Sequence, residues 1–308
     1  MGSLGGGLLS SLYAETQGFE KGSLGLGLLS RLYAETRDFL CKCIWNVVIF
    51  GPKPKHVAVI MDGNQRFARK HHLKEVDGHK FGLLSLMSTL TCCYEMGVKY
   101  VTIYAFSIDN FKRRSDEVQF LMDLLYEKIE NILKDESIVN RYGIRVTFLG
   151  NLKLLPSNIR EAAERAMNAT AKNDNVVLSI CVAYSSTNEI TRAAQGACTE
   201  RFKIRWGSNL TSGAIMENVH KRDEENNVIK VSDLERHMFT AGCPEPDLLI
   251  KTSGETRLSN YLLWQSSHCY LHISNALWPE FALRHMLWAV LKYQRVKPYL
   301  EKKNKKMV

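Results

Sequence analysis

Short runs of apolar, β-branched residues alternate along the chain with longer stretches at helical spacing. The short runs predict strands at Val57–Met61, Tyr100–Phe106, Ile144–Leu149, Val176–Ala183, Leu248–Lys251 and Tyr270–Ile273. The stretches between them predict helices at Phe81–Met96, Glu117–Leu133, Asn158–Ala171 and Asn188–Ala197. Strands joined through helical crossovers form parallel sheets that are covered on both faces. The pattern therefore predicts an α/β fold with a six-stranded, largely parallel sheet flanked by helices.

One long interval between the last predicted helix and the fifth strand breaks this rhythm. Residues Thr199 to Asn227 are polar and rich in loop-forming types, which predicts an excursion on the surface. After it, Ser232 is expected to cap a helix, with Glu235 three residues later completing a capping box.

The first fifty residues form a separate segment with an internal repeat. The stretch from Gly2 to Thr16 recurs from Gly22 to Thr36, so the period is 20 residues. Two copies are too few for a solenoid, and a tandem duplication is the simpler account. Each copy spaces its apolar residues as an amphipathic helix does, and this helix either packs on the protein's own body or lies in a membrane interface. The longest apolar run here, Ile44 to Phe50, is too short to cross a bilayer.

The shifts in composition and pattern along the chain predict three segments: an N-terminal segment at residues 1–51, a central domain at residues 52–296 and a basic tail at residues 297–308. The last part holds five lysines against one glutamate, which indicates either a solvated tail or contact with an anionic membrane surface. The chain of 308 residues has 41 Lys and Arg against 32 Asp and Glu, a net charge of +9 that favours an anionic partner. Its eight cysteines lack zinc-site spacing, so we expect reduced thiols in a cytosol-facing protein.

Polar clusters directly follow three of the predicted strands. They are Asp62-Gly63-Asn64-Gln65-Arg66, the run from Ser107 to Arg114, and the run from Thr252 to Asn260. Ligands of parallel sheets bind beyond the carboxyl ends of the strands, so these clusters are expected to meet. Arginine forks bind phosphate oxygens, and a carboxylate among them suits Mg²⁺ that bridges those oxygens. The clusters therefore predict a site for a polyanionic, phosphorylated substrate.

Each cluster also has a purely structural interpretation. Asp62-Gly63-Asn64 could be only a tight turn, Ser107 and Asn110 could cap a helix, and Arg113-Arg114 could be a solvated face. No nucleotide-binding glycine motif follows a strand. RNA is a rival occupant of a basic cleft, but the sequence has no aromatic-interleaved stacking motif, so no nucleic-acid partner is expected.

Three motifs carry a resemblance to a known family. The run His56-Val-Ala-Val-Ile-Met-Asp62-Gly-Asn64-Gln-Arg66, with Gly78-His79 downstream, resembles the first signature of the cis-prenyltransferases. Tyr104-Ala-Phe-Ser107-Ile-Asp-Asn110-Phe-Lys-Arg113 is similar to the next signature. The run from Pro246 to Gln265, followed by Leu277-Trp278-Pro279-Glu280, is similar to the last. The chain looks closest to the eukaryotic dehydrodolichyl diphosphate synthase and rubber-type catalytic subunits.

This resemblance implies an activity, a cofactor and a set of site residues. The family condenses isopentenyl diphosphate onto an allylic diphosphate such as farnesyl diphosphate, and the long Z-polyprenyl product serves dolichol, other polyprenols or rubber. Residues 52–296 would be the catalytic domain, with Mg²⁺ as cofactor. The implied catalytic residues are Asp62, Asn110, Ser107 and His79, with Asp62 also the metal ligand. The implied substrate-binding residues are Gly63, Asn64, Arg66, Phe67, Phe111, Arg113, Lys251, Arg257 and Ser259.

The growing hydrocarbon chain of such an enzyme needs an apolar tunnel. One candidate wall lies in the predicted helix Phe81–Met96 and another in Glu117–Leu133. Core packing is the alternative interpretation for both. The candidate wall residues are Leu83, Leu84, Leu86, Met87, Leu90, Phe120, Leu121, Leu124 and Leu125.

The chain departs from the family pattern at several positions. Lys251 and Glu75 stand where the family usually has Arg, and Tyr270 stands where bacterial members have a Mg²⁺-binding Glu. No glycine follows Gly254 in this sequence, so we expect no Arg-x-Gly tail of the kind that single-subunit members have. The last two features resemble the heteromeric eukaryotic enzymes. They imply an accessory subunit of the Nogo-B-receptor type and a peripheral location on the cytosolic face of the endoplasmic reticulum, with the cytosol or a plastid as the alternative. A catalytically weak or silent partner subunit of the same fold is the alternative function.

Overall fold

A single parallel sheet forms the centre of the computed structural model, which describes residues 43, 45–48, 50–134, 138–206 and 228–304. The strands are β1 His56–Ile60, β2 Tyr100–Ser107, β3 Ile144–Leu149, β4 Val176–Tyr184, β5 Leu248–Lys251 and β6 Tyr270–Ile273. Their order is β3-β4-β2-β1-β5-β6, and every neighbouring pair is parallel. The predicted six-stranded α/β fold is confirmed, with each strand displaced by no more than one residue at either end.

Helices cover both faces of this sheet. They are α1 Asn64–Lys70, α2 Glu75–Met96, α3 Ser115–Ile132, α4 Ile138–Arg141, α5 Ser157–Ala169, α6 Ser186–Trp206, α7 Val231–His237 and α8 Leu283–Asn304. The four predicted helices correspond to α2, α3, α5 and α6. Short 3-10 turns at Ile108–Lys112, Leu152–Leu154 and Trp278–Glu280 complete the described elements.

Two local predictions are wrong. Helix α6 continues to Trp206, so the polar stretch from Thr199 begins as helix and not as loop. Residues 207–227 of that predicted loop lie outside the described residues. Helix α7 begins at Val231, because the carboxylate of Asp233 accepts the backbone N–H of Lys230 at 3.0 Å. The N-cap is therefore Lys230 and not Ser232, and Asp233 takes the role that the sequence assigned to Glu235.

The strand order brings three segments to one edge of the sheet. Strand β1 lies between β2 and β5, with Ile60 opposite Tyr104 on one side and Lys251 on the other. The chain leaves β1 towards β2, and it later returns on the opposite side of β1 as β5. Such a reversal of strand order opens a crevice at the carboxyl ends of the strands.

Close contact between α1 and α2 depends on two glycines. A methyl group at Gly78 would overlap the carbonyl oxygen of Asn64, and one at Gly82 would overlap the Asn64 side-chain oxygen. The carbonyl of Gly82 also accepts a hydrogen bond of 2.7 Å from the indole N–H of Trp278, which is buried. These glycines therefore fix α2 against Asn64 and Trp278.

The end of the N-terminal segment packs on the body of the protein. Residues 43, 45–48 and 50 are helical, and Val48 is buried with its carbonyl accepting from Nε2 of Gln294 at 2.9 Å. Val47 and Phe50 are 63% and 90% exposed. This turn thus has one packed face and one exposed apolar face. The repeated stretch at residues 2–36 lies outside the described residues.

The described part of the chain holds no helix that is long and apolar enough to cross a membrane. Helix α8 runs without interruption past residue 297, so the predicted basic tail is helical as far as residue 304. The last four residues lie outside the described ranges. Each cysteine within those ranges is a free thiol.

A Gly78→Ala substitution tests the contact between α1 and α2. We expect the free energy of unfolding to fall by about 1–3 kcal/mol, because the methyl group can be accommodated only by moving helix backbone. Chemical denaturation measures the effect. Gly196→Ala in α6 is the control, since the atoms nearest to its methyl group would belong to the side chain of His237, whose ring is partly exposed. Equal stability of the two variants would contradict this account.

Candidate active site

A cavity of about 790 Å³ opens at the carboxyl ends of β1 and β2. It lies between these strand ends, α2 and α3. All three polar clusters contribute to its lining, as the topology requires. The predicted site residues that line it are Asp62, Gly63, Asn64, Arg66, His79, Ser107, Asn110, Arg113, Arg257 and Ser259.

The rest of the cavity wall is mostly apolar. Among the predicted wall residues, Leu83, Leu86, Leu121, Leu124 and Leu125 line the cavity, together with strand residues such as Ile103 and Phe106. Leu84 is half exposed and lines a neighbouring cavity of about 520 Å³, whereas Leu90 belongs to the buried core. Met87 packs against that core, and neither it nor Phe120 lines the cavity. A cavity with charged and apolar parts suits a molecule that has an anionic head and a hydrocarbon tail.

Asp62 is held at the centre of the charged part by residues that follow β5. The backbone N–H of Asp62 donates to Oγ1 of Thr252 at 2.9 Å, and the same hydroxyl donates to the Asp62 carbonyl at 2.7 Å. Nζ of Lys251 lies 3.0 Å from Oδ2 of the carboxylate. Lys251 is completely buried, so the Asp62 carboxylate has a cation fixed behind it.

The charge state of Asp62 follows from these contacts. Partial burial alone would raise the pKa of its carboxyl group, but the hydrogen bond and charge of Lys251, together with Ser253 and Arg66, outweigh burial. The pKa of Asp62 is therefore lower than its ordinary value. The side chain is a carboxylate at neutral pH, and it remains one third exposed.

Two arginines converge on one carboxylate beside Asp62. Arg66 donates to Oγ of Ser253 at 2.5 Å and lies 3.5 Å from Glu255, while Arg257 lies 2.8 Å from the other oxygen of Glu255. Arg66 is also 3.6 Å from Asp62. Glu255 thus holds the guanidinium groups of Arg66 and Arg257 at the same side of the cavity, where both can present forks to phosphate oxygens.

On the β2 side, the structural interpretation of the second cluster holds in part. Oγ of Ser107 accepts the backbone N–H of Asp109 at 3.1 Å, and Oδ1 of Asn110 accepts that of Ser107 at 2.8 Å. Both residues therefore cap the 3-10 turn while they also line the cavity. Arg113 is paired with Glu117 at 2.6 Å, so it is not a free solvated charge.

Two residues that line the cavity each have one buried polar atom without a hydrogen-bond partner among the described residues. These atoms are Oδ1 of Asn64 and Nε2 of His79. Burial first, and then the charge of Arg113, lowers the pKa of His79, which favours its neutral form. Gly63 precedes Asn64 and has a φ of +113°, a backbone conformation that residues other than glycine rarely adopt. Unsatisfied buried groups at a cavity wall are suited to bind a polar ligand.

Three residues with implied substrate contacts lie elsewhere. Phe67 is buried against Phe81 and His71, and Phe111 packs edge-on against Phe106. Lys251 contacts Asp62 and does not line the cavity. The replacement of the family's arginine by lysine at position 251 therefore affects the contact with Asp62 and not a contact with phosphate. Their contact with substrate stays a prediction that this geometry does not favour.

Two of the departures from the family pattern also have a place in the fold. Tyr270 begins the edge strand β6, at the end of the sheet opposite the cavity, so residue 270 cannot reach Asp62 of its own chain. Glu75 starts α2 and pairs with Arg69 at 3.4 Å.

Several cavity residues were not assigned by the sequence. Gln65, Tyr104 and Asn260 stood inside the quoted motifs, but motif spacing does not say which side chains of a loop face inward. Trp278 also lines the cavity, although it follows the last strand by several residues. The sequence assigned no role to Glu117 or Glu255, because each acts through the arginine that it contacts in the folded chain.

The donor set of this site would suit a magnesium ion that is also bound by phosphate oxygens of a substrate. Among the described residues, no group of three or more His, Cys, Asp or Glu side chains could hold a metal ion. Mg²⁺ commonly takes one or two protein carboxylates and completes its shell with phosphate oxygens and water. Asp62 offers one such carboxylate at the cavity wall.

Comparison with known proteins agrees with this geometry. A family model for undecaprenyl diphosphate synthase matches residues 60–299. Dehydrodolichyl diphosphate synthase CPT3 of Solanum lycopersicum is 52% identical over 274 residues, which cover 87% of this chain and 93% of that protein. Rubber cis-polyprenyltransferase HRT2 of Hevea brasiliensis is 49% identical, with 86% and 92% covered. The human dehydrodolichyl diphosphate synthase complex subunit DHDDS is 37% identical, with 83% and 72% covered.

A solved structure shares the fold. The crystal structure of lavandulyl diphosphate synthase from Lavandula x intermedia, in complex with dimethylallyl diphosphate, superposes with a TM-score of 0.65 at 27% identity, covering 79% of this chain and 95% of that one. The matched residues include all three polar clusters that build the cavity. The chain belongs to the undecaprenyl diphosphate synthase family of prenyltransferases.

Proposed function

We propose that this chain is the catalytic subunit of a cis-prenyltransferase that adds isopentenyl diphosphate to an allylic diphosphate. The product is a long Z-polyprenyl diphosphate of the kind used for dolichol, polyprenols or rubber. The observation that carries the proposal is the cavity in which Asp62, Arg66 and Arg257 stand beside a wall of leucines. Relatives named as dehydrodolichyl diphosphate synthases and a rubber cis-polyprenyltransferase support it.

The allylic diphosphate is assigned to the side of the cavity formed by the first cluster. Its oxygens would accept from the guanidinium groups of Arg66 and Arg113, which line this side of the cavity. Donors that are fixed before the reaction stabilise the negative charge that develops as the leaving diphosphate departs. Magnesium, bound by Asp62 and diphosphate oxygens, would add Lewis-acid stabilisation of that charge.

Isopentenyl diphosphate is assigned to the third cluster. Arg257 and Ser259 line the same cavity and would hold its diphosphate, so that its double bond faces the allylic carbon. Condensation then requires loss of one proton. Oδ1 of Asn110 accepts the N–H of Ser107, and an amide oxygen is a much weaker base than a diphosphate oxygen. A diphosphate oxygen is therefore the preferred proton acceptor, with Ser107 and Asn110 shaping its surroundings.

We further propose that the enzyme is heteromeric and peripheral to the endoplasmic reticulum membrane, on its cytosolic side. Strand β6 is an edge strand with Leu271 37% exposed, and Trp288 of the adjacent α8 is 54% exposed. An exposed edge beside apolar side chains is a candidate surface for another chain. The human relative's name describes it as a complex subunit, which supports an accessory subunit of the Nogo-B-receptor type. Exposed Phe50 and Tyr299 are candidates for membrane contact.

The first test measures incorporation of labelled isopentenyl diphosphate into polyprenyl products with farnesyl diphosphate, magnesium and any required partner present. Asp62→Asn should reduce turnover by about 100-fold or more, because it removes the carboxylate that engages magnesium and diphosphate. The matched control is Asp123→Asn in α3, an exposed carboxylate held by Gln119. Equal loss in both variants would contradict the role of Asp62, and the absence of wild-type product would contradict the proposed function.

The second test concerns pH. Replacing Lys251 by Met removes the cation but leaves the burial of Asp62, so the pKa of Asp62 should rise relative to that of the wild-type protein. The acid limb of the pH profile of kcat/KM should therefore shift to higher pH, because the carboxylate protonates earlier as pH falls. NMR titration of the Asp62 carboxyl gives the same comparison if turnover is too low. Lys153→Met, at an exposed lysine, is the control, and an unshifted limb and titration would refute this role of Lys251.

The third test concerns the partner. The isolated chain should turn over slowly, and an accessory subunit should restore activity. Trp288→Glu should weaken that association, because it places a charge on the apolar surface beside β6. Tyr299→Glu is the control, because Tyr299 lies on the same helix and is more exposed to solvent than Trp288. Analytical ultracentrifugation measures the complex, and full turnover by the isolated chain with long products would contradict heteromeric function.

A further inference from the structure

The segment after β5 carries Arg257 and Ser259 into the cavity with an unusual backbone. Ser259, Asn260 and Leu262 have φ values of +50°, +57° and +43°. Residues other than glycine adopt this left-handed region at a cost in free energy. Such a turn persists only where contacts outside it hold it in place.

Those contacts come from the first turn of α6, which Asn260 caps. Oδ1 of Asn260 accepts from the backbone N–H and from the hydroxyl of Thr187, both at 3.1 Å. Its carbonyl accepts the N–H of Ser186 at 2.8 Å. The first N–H groups of a helix have no partner inside the helix. The next two are satisfied by Ser185, so Asn260 supplies half of the cap from a distant segment.

Further hydrogen bonds extend this junction on both sides of Asn260. Oγ of Ser186 accepts the N–H of Leu263 at 2.9 Å, and the buried carboxylate of Glu189 accepts from Nε2 of Gln265 at 3.0 Å. On the other side, the hydroxyl of Tyr104 donates to the carbonyl of Ser259 at 3.3 Å. The turn at residues 259–262 is thus fastened to α6 and to β2.

We propose that Asn260 is a positioning residue for isopentenyl diphosphate. By capping α6, Asn260 fixes the left-handed turn at residues 259–262. This turn then orients Arg257 and Ser259 towards the diphosphate. The proposal rests on the proposed function. The N–H groups of Ser186 and Thr187 are already used by Asn260, so recognition of the diphosphate here falls to the side chains of Arg257 and Ser259.

Asn260 itself lines the cavity, so its substitution alone cannot separate positioning from direct contact. Thr187 provides the separation. Its hydroxyl donates to Asn260 from outside the residues that line the cavity. A change at Thr187 can therefore reach the substrate only through Asn260.

The experiment compares Asn260→Gly, Thr187→Val and the double variant in steady-state assays of the complete enzyme. Glycine adopts the observed φ without strain. Asn260→Gly therefore removes the two side-chain hydrogen bonds with Thr187, while the carbonyl of residue 260 can still accept from Ser186. Its KM for isopentenyl diphosphate should rise about threefold to tenfold, the worth of lost hydrogen bonds, while the KM for the allylic diphosphate stays unchanged. Thr187→Val should shift the same constant by a smaller factor. The double variant should resemble Asn260→Gly alone, because both changes remove one shared contact.

Thr199→Val is the control, since its hydroxyl makes a local bond within the same helix. It should leave both constants unchanged, and melting temperatures of all variants are measured beside the kinetics. A wild-type KM for isopentenyl diphosphate in Asn260→Gly, an equal rise in both constants, or additive effects in the double variant would overturn the proposal. Failure of the proposed function would look different, because the wild-type protein would then form no condensation product.

Discussion

The ion pair between Lys251 and Asp62 is the interaction on which the site depends. Lys251 ends β5 and is completely buried, so its ammonium group needs a carboxylate within reach. Asp62 supplies it from the end of β1, the neighbouring strand. The hydroxyl of Thr252 ties the Asp62 backbone to the same strand. A carboxylate that is fixed and kept ionised in this way can meet a metal–diphosphate complex without reorganising, which is the condition for effective electrostatic catalysis.

Around this pair, carboxylates hold the arginine side chains of the cavity in place. Arg66 and Arg257 share Glu255, and Arg113 is paired with Glu117, which also accepts from Gln65 at 2.7 Å. Long, flexible cationic side chains would otherwise sample many rotamers, and each paired carboxylate narrows that range before a substrate arrives. The anion-binding capacity of the site therefore depends on where these three arginines are held, more than on the net positive charge of the whole chain.

The apolar part of the cavity and its polar part come from different elements. Leucines of α2 and α3 provide the wall, whereas loops after β1, β2 and β5 provide the polar groups. The two parts are connected by close packing, since Gly78 and Gly82 allow α2 to approach Asn64. Under the proposed function, this division would let the length of the bound hydrocarbon and the affinity for the diphosphate respond to separate substitutions.

The sequence by itself determined the strands, the order of helices and strands, and the three clusters after β1, β2 and β5. Apolar periodicity and strand–helix alternation are local properties, and parallel topology then requires the strand ends to meet. It did not determine that Lys251 faces Asp62 and not a phosphate, that Phe67 and Phe111 pack away from the cavity, or that Asn260 caps α6. It also placed a loop at Thr199 and a cap at Ser232 where a longer helix and Asp233 prevail. The Lys251–Asp62 pair and the cap on α6 depend on contacts between residues that are 189 and 73 positions apart, which only the tertiary structure brings together. The other outcomes depend on how neighbouring side chains compete for one position, which periodicity does not record.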